Sequence, residues 1–189
     1  MKSFKRPVAL LAAALIVGVA AVGALLTNPA PAAAAQTRTV NATVAADLQH
    51  MREEEKLARD VYLVFDDLYG DQVAVFGKIA KSEAKHMLAI KRLLTYYGVA
   101  DPVQKDVPGV FSDPDLQKLY DDLVDQGSTS LEDALDVGVA IETLDINDLE
   151  QAKSHTTVAK VIRVYNNLLR GSNNHLKAFT SVPTTCVNN

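Results

Sequence analysis

Glu83 and His86 stand three residues apart in "FGKIAKSEAKHMLAIKRLL", residues 76 to 94, whose apolar residues mark one face of a helix. Glu83 follows Phe76, Ile79 and Ala80 at spacings of seven, four and three, and His86 leads on to Ile90 and Leu93. Both polar groups therefore fall on or beside the inner face. A carboxylate and an imidazole placed there suit a metal ion. The plain alternative is an amphipathic helix with two polar residues at the edge of its stripe.

The same question arises on three other helical stretches. The line Met51, Glu55, Ala58, Tyr62, Phe65 carries one carboxylate, while Glu54 lies on a neighbouring line with Ala58, Val61 and Phe65, so periodicity leaves Glu54 and Glu55 as alternatives. In "ALDVGVAIETL", Glu142 follows Gly138 and Val139 by four and three, and Asp145 is one turn further on. His175 lies on the line Val158, Tyr165, Ser172, His175, Phe179. A lone His on such a stripe is usually a hydrogen-bonded core residue, and a lone Glu at its edge usually reaches solvent. Taken together, one carboxylate on each of two helices, a Glu-x-x-His on another and a His on the last form the layout of a carboxylate-bridged metal site in a bundle core. Burying three carboxylates without cations would cost several kcal/mol each. Asp145 either adds a carboxylate or caps a helix restarting at "INDLE".

The elements that must hold these residues read as helices throughout, without strand-like alternation. The first spans about Ala46 to Tyr69, ending at Gly70 as a C′ residue, and the second about Asp71 to Tyr97, ending at Gly98. "VADPVQKDVPGVFSDPDL" is a long connection, leading into a short helix with Ser112 or Asp113 as cap, Pro114 in its first turn and Gly127 after its end. Ser130 and Asp133 have capping-box spacing at the start of the third long helix, which either continues through Asp145 or kinks there. The last helix runs from about Thr156 to Thr180. The expected fold is all-α: a four-helix bundle with a short extra helix in the long connection between helices two and three.

The first 35 residues have the layout of a secretory signal: basic Lys2, Lys5 and Arg6, an uncharged run of 19 residues from Val8 to Leu26, then a small-residue exit ending at Ala35. An uncleaved anchor is the alternative. Residues 36 to 46 read as a flexible leader, 47 to 181 as the helical domain and 182 to 189 as a tail. Removing the three basic residues of the signal takes the net charge from −4 to −7. That balance argues against a nucleic-acid partner, and after cleavage no membrane association is expected. Cys186, the single cysteine, permits no internal disulfide, thiolate zinc site or iron–sulfur cluster. A homo-oligomer is compatible with these features.

At the polar positions the chain resembles the ferritin-like superfamily, which includes rubrerythrins and bacterioferritins. "EKLARDVY" matches that superfamily's E-x-x-A-x-x-x-Y with Glu55, Ala58 and Tyr62, favouring Glu55 over Glu54, and Ala80, Glu83 and His86 match A-x-x-E-x-x-H. "EEEKLARDVY", "IAKSEAKHM", "DALDVG" and "LLRGSNNHLKAF" also resemble an uncharacterised prokaryotic family of ferritin-like domains. The resemblance implies one or two ions of iron or manganese on Glu55, Glu83, His86, Glu142 and His175, with Asp145 as a further ligand and Tyr62 and Ser172 beside them. It also implies, for any enzyme activity, oxidation of Fe(II) by oxygen or peroxide. Ser172 departs from the pattern, standing where a second Glu-x-x-His would have its Glu, which leaves the metal beside His175 one carboxylate short. The competing expectation is a non-catalytic helical bundle at the cell surface that binds a protein partner, its buried carboxylates paired with basic residues such as Arg59.

Overall fold

The computed structural model of the protein describes residues 38–183, and the expected signal, its cleavage point and Cys186 lie outside them. The described residues form five helices and no strand: α1 (Ala42–Tyr69), α2 (Val75–Tyr97), α3 (Pro114–Gly127), α4 (Leu131–Ser154) and α5 (Ala159–Thr180). None of these helices is long and apolar enough to cross a membrane. α1 packs along α2, and α4 along α5, while α1 also meets α4 and α2 meets α5. α3 rests on α1 and α4.

Local chemistry sets the ends. Helix α1 starts four residues before the expected position, because the Asn41 side chain accepts the Val44 N–H at 2.8 Å and Val44 is buried. Residues 42–46 are therefore helix, not leader. Gly70 does not take the left-handed conformation expected of a C′ glycine (φ −61°), whereas Gly98 does (φ +66°). α2 begins at Val75, with no side-chain cap. Asp113 caps α3 ahead of Pro114. Ser130 caps α4: its Oγ accepts the Asp133 N–H at 3.1 Å, while the Asp133 carboxylate accepts the Ser130 hydroxyl and not the Ser130 N–H that a full capping box would use. α4 is continuous through Asp145, so Asp145 is not a cap. α5 starts at Ala159, later than expected, after Thr156 Oγ1 accepts the Val158 N–H.

The charged run of α1 is turned onto the connection between α2 and α3. Glu53 accepts the Ser112 N–H, Asp60 accepts the Gly109 N–H at 3.0 Å, and Arg59 binds Asp106 through two nitrogens at 2.6 and 2.7 Å. Lys56, fully buried, pairs with Asp60 at 2.5 Å and lies over the Phe111 ring. These contacts fasten a long proline-containing segment to a helix face that would otherwise face water.

Apolar burial falls into two clusters. One gathers Val61, Phe65, Phe76, Ile79, Leu135 and Phe179, and the other Leu48, Met51, Ile90, Leu149, Tyr165 and Leu168. All four long helices contribute to both. The polar residues singled out from the sequence fall between those contributions, at 55 on α1, 83 to 86 on α2, 142 to 145 on α4 and 172 to 175 on α5.

Candidate metal centre

Between the two apolar clusters, four helices deliver carboxylates and imidazoles to one interior spot. Glu55, Glu83, Glu142, Asp145 and His175 are all buried, none more than 8 % exposed. Glu83 stands in the middle. Its Oε2 lies 2.7 Å from His86 Nδ1, and its Oε1 lies 2.6 Å from His175 Nδ1. Glu55 Oε2 is 3.1 Å from His86 Nδ1, and Glu142 Oε2 is 3.4 Å from His175 Nδ1. Two triads result: Glu55, Glu83 and His86, then Glu83, Glu142 and His175. Each brings its donor atoms within 4.8 Å of one another. The two imidazoles stack with centroids 5.5 Å apart.

Surrounding groups orient this set. The Tyr62 hydroxyl donates to Glu142 Oε1 at 2.8 Å. Ser82 Oγ, one residue before Glu83, holds His175 Nε2 at 2.9 Å and so turns Nδ1 inward. Ser172 donates its hydroxyl to Asp145 Oδ2. Serine on α5 thus supplies no carboxylate of its own but anchors one from α4. Both triads hold two carboxylates and one imidazole, so the shortfall expected beside His175 is not present in the donor count.

Gly171 has a steric role. A Cβ there would lie 2.5 Å from Cε1 and Nε2 of His86, so the bare α5 backbone is what admits the His86 ring. Gly138 similarly leaves room for the Phe179 ring, which packs on Tyr62 at 5.1 Å.

The electrostatics of the cluster are unbalanced. Burial, with Asp145 and Glu83 nearby, pushes the Glu55 carboxyl well above the usual range. Burial raises Asp145 to about 7 against the hydrogen bond from Ser172, helped by the charges of Glu83 and Glu142. Glu142 is raised chiefly by burial, despite His175. Burial would raise Glu83 too, but the two imidazoles outweigh it and hold it at about 2. Burial lowers His175, yet Glu142 and Glu83 more than compensate and bring it to about 9. His86 is raised by Glu83 in the same way, against its burial.

Several polar atoms point inward without a hydrogen-bond partner among the described residues: Glu55 Oε1, Glu83 Oε1, Asp145 Oδ1 and His175 Nδ1. Glu83 Oε1 and His175 Nδ1 are close, but their alignment is not that of a hydrogen bond. No lysine or arginine among the described residues pairs with Glu55, Glu83, Glu142 or Asp145. Arg59, the basic partner considered from sequence, binds Asp60 and Asp106 instead. Orphaned donors converging from four helices, with several carboxylates and two imidazoles, fit a pair of divalent cations better than they fit an internal ion-pair network.

Residues 45–184 match the family described as "Uncharacterized protein domain (DUF2202)". The chain belongs to the DUF2202 family. Over 132 residues this DUF2202 protein is 49 % identical to the uncharacterized protein MJ0754 of Methanocaldococcus jannaschii, an alignment covering 70 % of each chain. It is also similar to the crystal structure of hypothetical protein MJ0754 from Methanococcus jannaschii, with a TM-score of 0.72 and 46 % identity over 74 % of this chain and 79 % of that one.

Of the residues singled out by helical periodicity, Glu55, Glu83, His86, Glu142 and His175 come together in the two triads of this DUF2202 domain, and Asp145, hydrogen-bonded to Ser172, belongs to neither. Spacing alone leaves Glu54 and Glu55 as alternatives. Glu54 is buried but faces His50 and Asp148 rather than the two triads. Ser82 and Gly171 were missed. A glycine inside an otherwise strong helical pattern was the available signal for Gly171. Ser82 carried none beyond its place next to Glu83.

Proposed function

We propose that this DUF2202 domain is a ferritin-like four-helix bundle of α1, α2, α4 and α5, with α3 in the long connection, that holds two iron or manganese ions in its core. Glu55, Glu83 and His86 would hold one ion, and Glu83, Glu142 and His175 the other, with Glu83 common to both sets. Asp145 stands ready as a sixth donor from α4. Its anchoring by Ser172 supports that role.

The observation that carries this reading is the placement of Glu83, whose two carboxylate oxygens each face a different imidazole Nδ1 at 2.7 and 2.6 Å. When bound, such a metal pair would supply one-electron redox chemistry toward oxygen or peroxide, which makes oxidation of Fe(II) the favoured activity. The chain's own contribution is to hold the donors and to exclude bulk water with the two apolar clusters. The Tyr62 hydroxyl, 2.8 Å from Glu142, fixes that carboxylate and can donate its proton bond to it throughout. In the same reading the protein is exported and cleaved near Ala35, so that the ions are met outside the cytoplasm.

The test is the metal content of the purified protein, followed by melting with and without a chelator shown to strip the metal. At least two ions per chain and a lower melting temperature after stripping are expected by mass action. Equal melting temperatures would count against a buried multi-carboxylate site. Mass spectrometry of exported protein with Met1 to Ala35 still attached would defeat the cleavage.

A further inference from the structure

A third cluster lies outside both triads, where α1 and α4 meet near the surface. Glu54 is only 3 % exposed, and neither of its carboxylate oxygens has a hydrogen-bond partner among the described residues. Its Oε2 lies 3.8 Å from His50 Nε2, one turn earlier on α1, and that nitrogen lies 3.7 Å from Asp148 Oδ2 on α4. One donor atom from each of the three falls within 4.8 Å of the others. His50 and Asp148 border a cavity of about 260 Å³ together with Asp47, Met51 and Gln151. The His50 and Asp148 side chains are 43 % and 28 % exposed, so the cluster opens to solvent on one side and ends on buried Glu54 on the other.

A surface Glu would turn outward and be hydrated. Glu54 instead keeps both oxygens away from water without a lysine or arginine partner. A buried unpaired carboxylate costs several kcal/mol unless a proton or a cation offsets it. His50 and Asp148 are ligand types that bring such a cation from solvent.

We propose that His50, Glu54 and Asp148 form a separate, solvent-facing divalent-cation site, with the His50 imidazole nitrogen and the two carboxylates as protein donors and water at the remaining positions. One imidazole and two carboxylates suit Mn²⁺, Fe²⁺ or Zn²⁺. Glu54 adjoins Glu55 on α1, and Asp148 is one turn beyond Asp145 on α4, so the outer cluster continues the inner donor set along the same two helices. It uses none of the inner donors.

The experiment is equilibrium dialysis of the full chain against Mn²⁺, with bound metal counted by mass spectrometry. Four proteins are compared: unmodified, the double variant His50→Ala with Asp148→Asn, Glu54→Gln, and Glu83→Ala. The double variant changes two partly exposed side chains and should keep its metal-free melting temperature. It should bind one Mn²⁺ fewer per chain, or that ion roughly tenfold or more weakly. Glu54→Gln, close in shape, should do the same, and Glu83→Ala should retain the outer ion. Unchanged Mn²⁺ binding in both the double variant and Glu54→Gln overturns the outer site. Unchanged binding in Glu83→Ala overturns only the inner pair, and the loss in the double variant then still supports the outer site.

Discussion

Replacing Gly171 by alanine should damage metal binding more than it damages the fold. The added Cβ would sit 2.5 Å from the His86 ring, where ordinary contact begins near 3.4 Å, so the ring must withdraw by about 0.9 Å or α5 must shift. His86 Nδ1 lies 2.7 Å from Glu83 Oε2 and 3.1 Å from Glu55 Oε2, a spacing that a shift of this size destroys. Misplacing a ligand or its support typically costs about 10- to 100-fold in metal affinity. Stability of the metal-free protein should move less. Overpacking costs about 1–3 kcal/mol, and alanine returns about 1 kcal/mol of helix propensity. The net loss is then between nothing and about 2 kcal/mol. Calorimetric metal titration and thermal melting of the stripped protein measure the two quantities. In a His86→Ala background the steric penalty should vanish and Gly171→Ala should stabilise by up to about 1 kcal/mol. Two metal sites of unaltered affinity in Gly171→Ala would refute the placement of His86 against α5.

Further outcomes follow from the same geometry. Metal-free protein should lose stability as pH rises from about 6 to 9. His175 (about 9 when folded, 6.5 ordinarily) and Asp145 (about 7 against 3.8) both hold protons more tightly in the folded state, so their contribution is complete at low pH and fades through those windows. Metal binding needs deprotonated ligands, so the loaded protein should show a flat or rising melting temperature over the same range, and a parallel fall in both forms would count against metal at His175. Ser172→Ala removes the donor that holds Asp145 and should weaken metal binding by roughly tenfold or more, whereas unchanged titration would place Asp145 outside the ligand set. Tyr62→Phe leaves Glu142 without its 2.8 Å donor. It should cost about 1 kcal/mol in stability and weaken the ion beside His175, as read by melting and titration.

The inner donors were legible because helical periodicity reports which face a residue occupies, and Glu55, Glu83, His86, Glu142 and His175 each interrupt an apolar line. Asp145 and Ser172 were legible as positions but not as a pair, since their contact joins α4 to α5 and only packing brings those helices together. Glu53, Lys56 and Asp60 are buried because the connection between α2 and α3 folds over them, and loop placement leaves no periodic trace in the sequence. Helix starts were misjudged where a cap or its absence decided them, at Asn41, Ala74 and Val158. Glu54 was indistinguishable from its neighbour by spacing, because adjacent residues on a helix differ by only 100° in direction.

The central claim is that Glu83 bridges two ions. Anomalous diffraction from a crystal of the iron- or manganese-loaded protein, recorded at that metal's absorption edge, tests it most directly. Two peaks are predicted in the bundle core, one among Glu55, Glu83 and His86 and the other among Glu83, Glu142 and His175. A loaded crystal with no peak at Glu83, its carboxylate instead paired with protonated His86 and His175, would contradict the account.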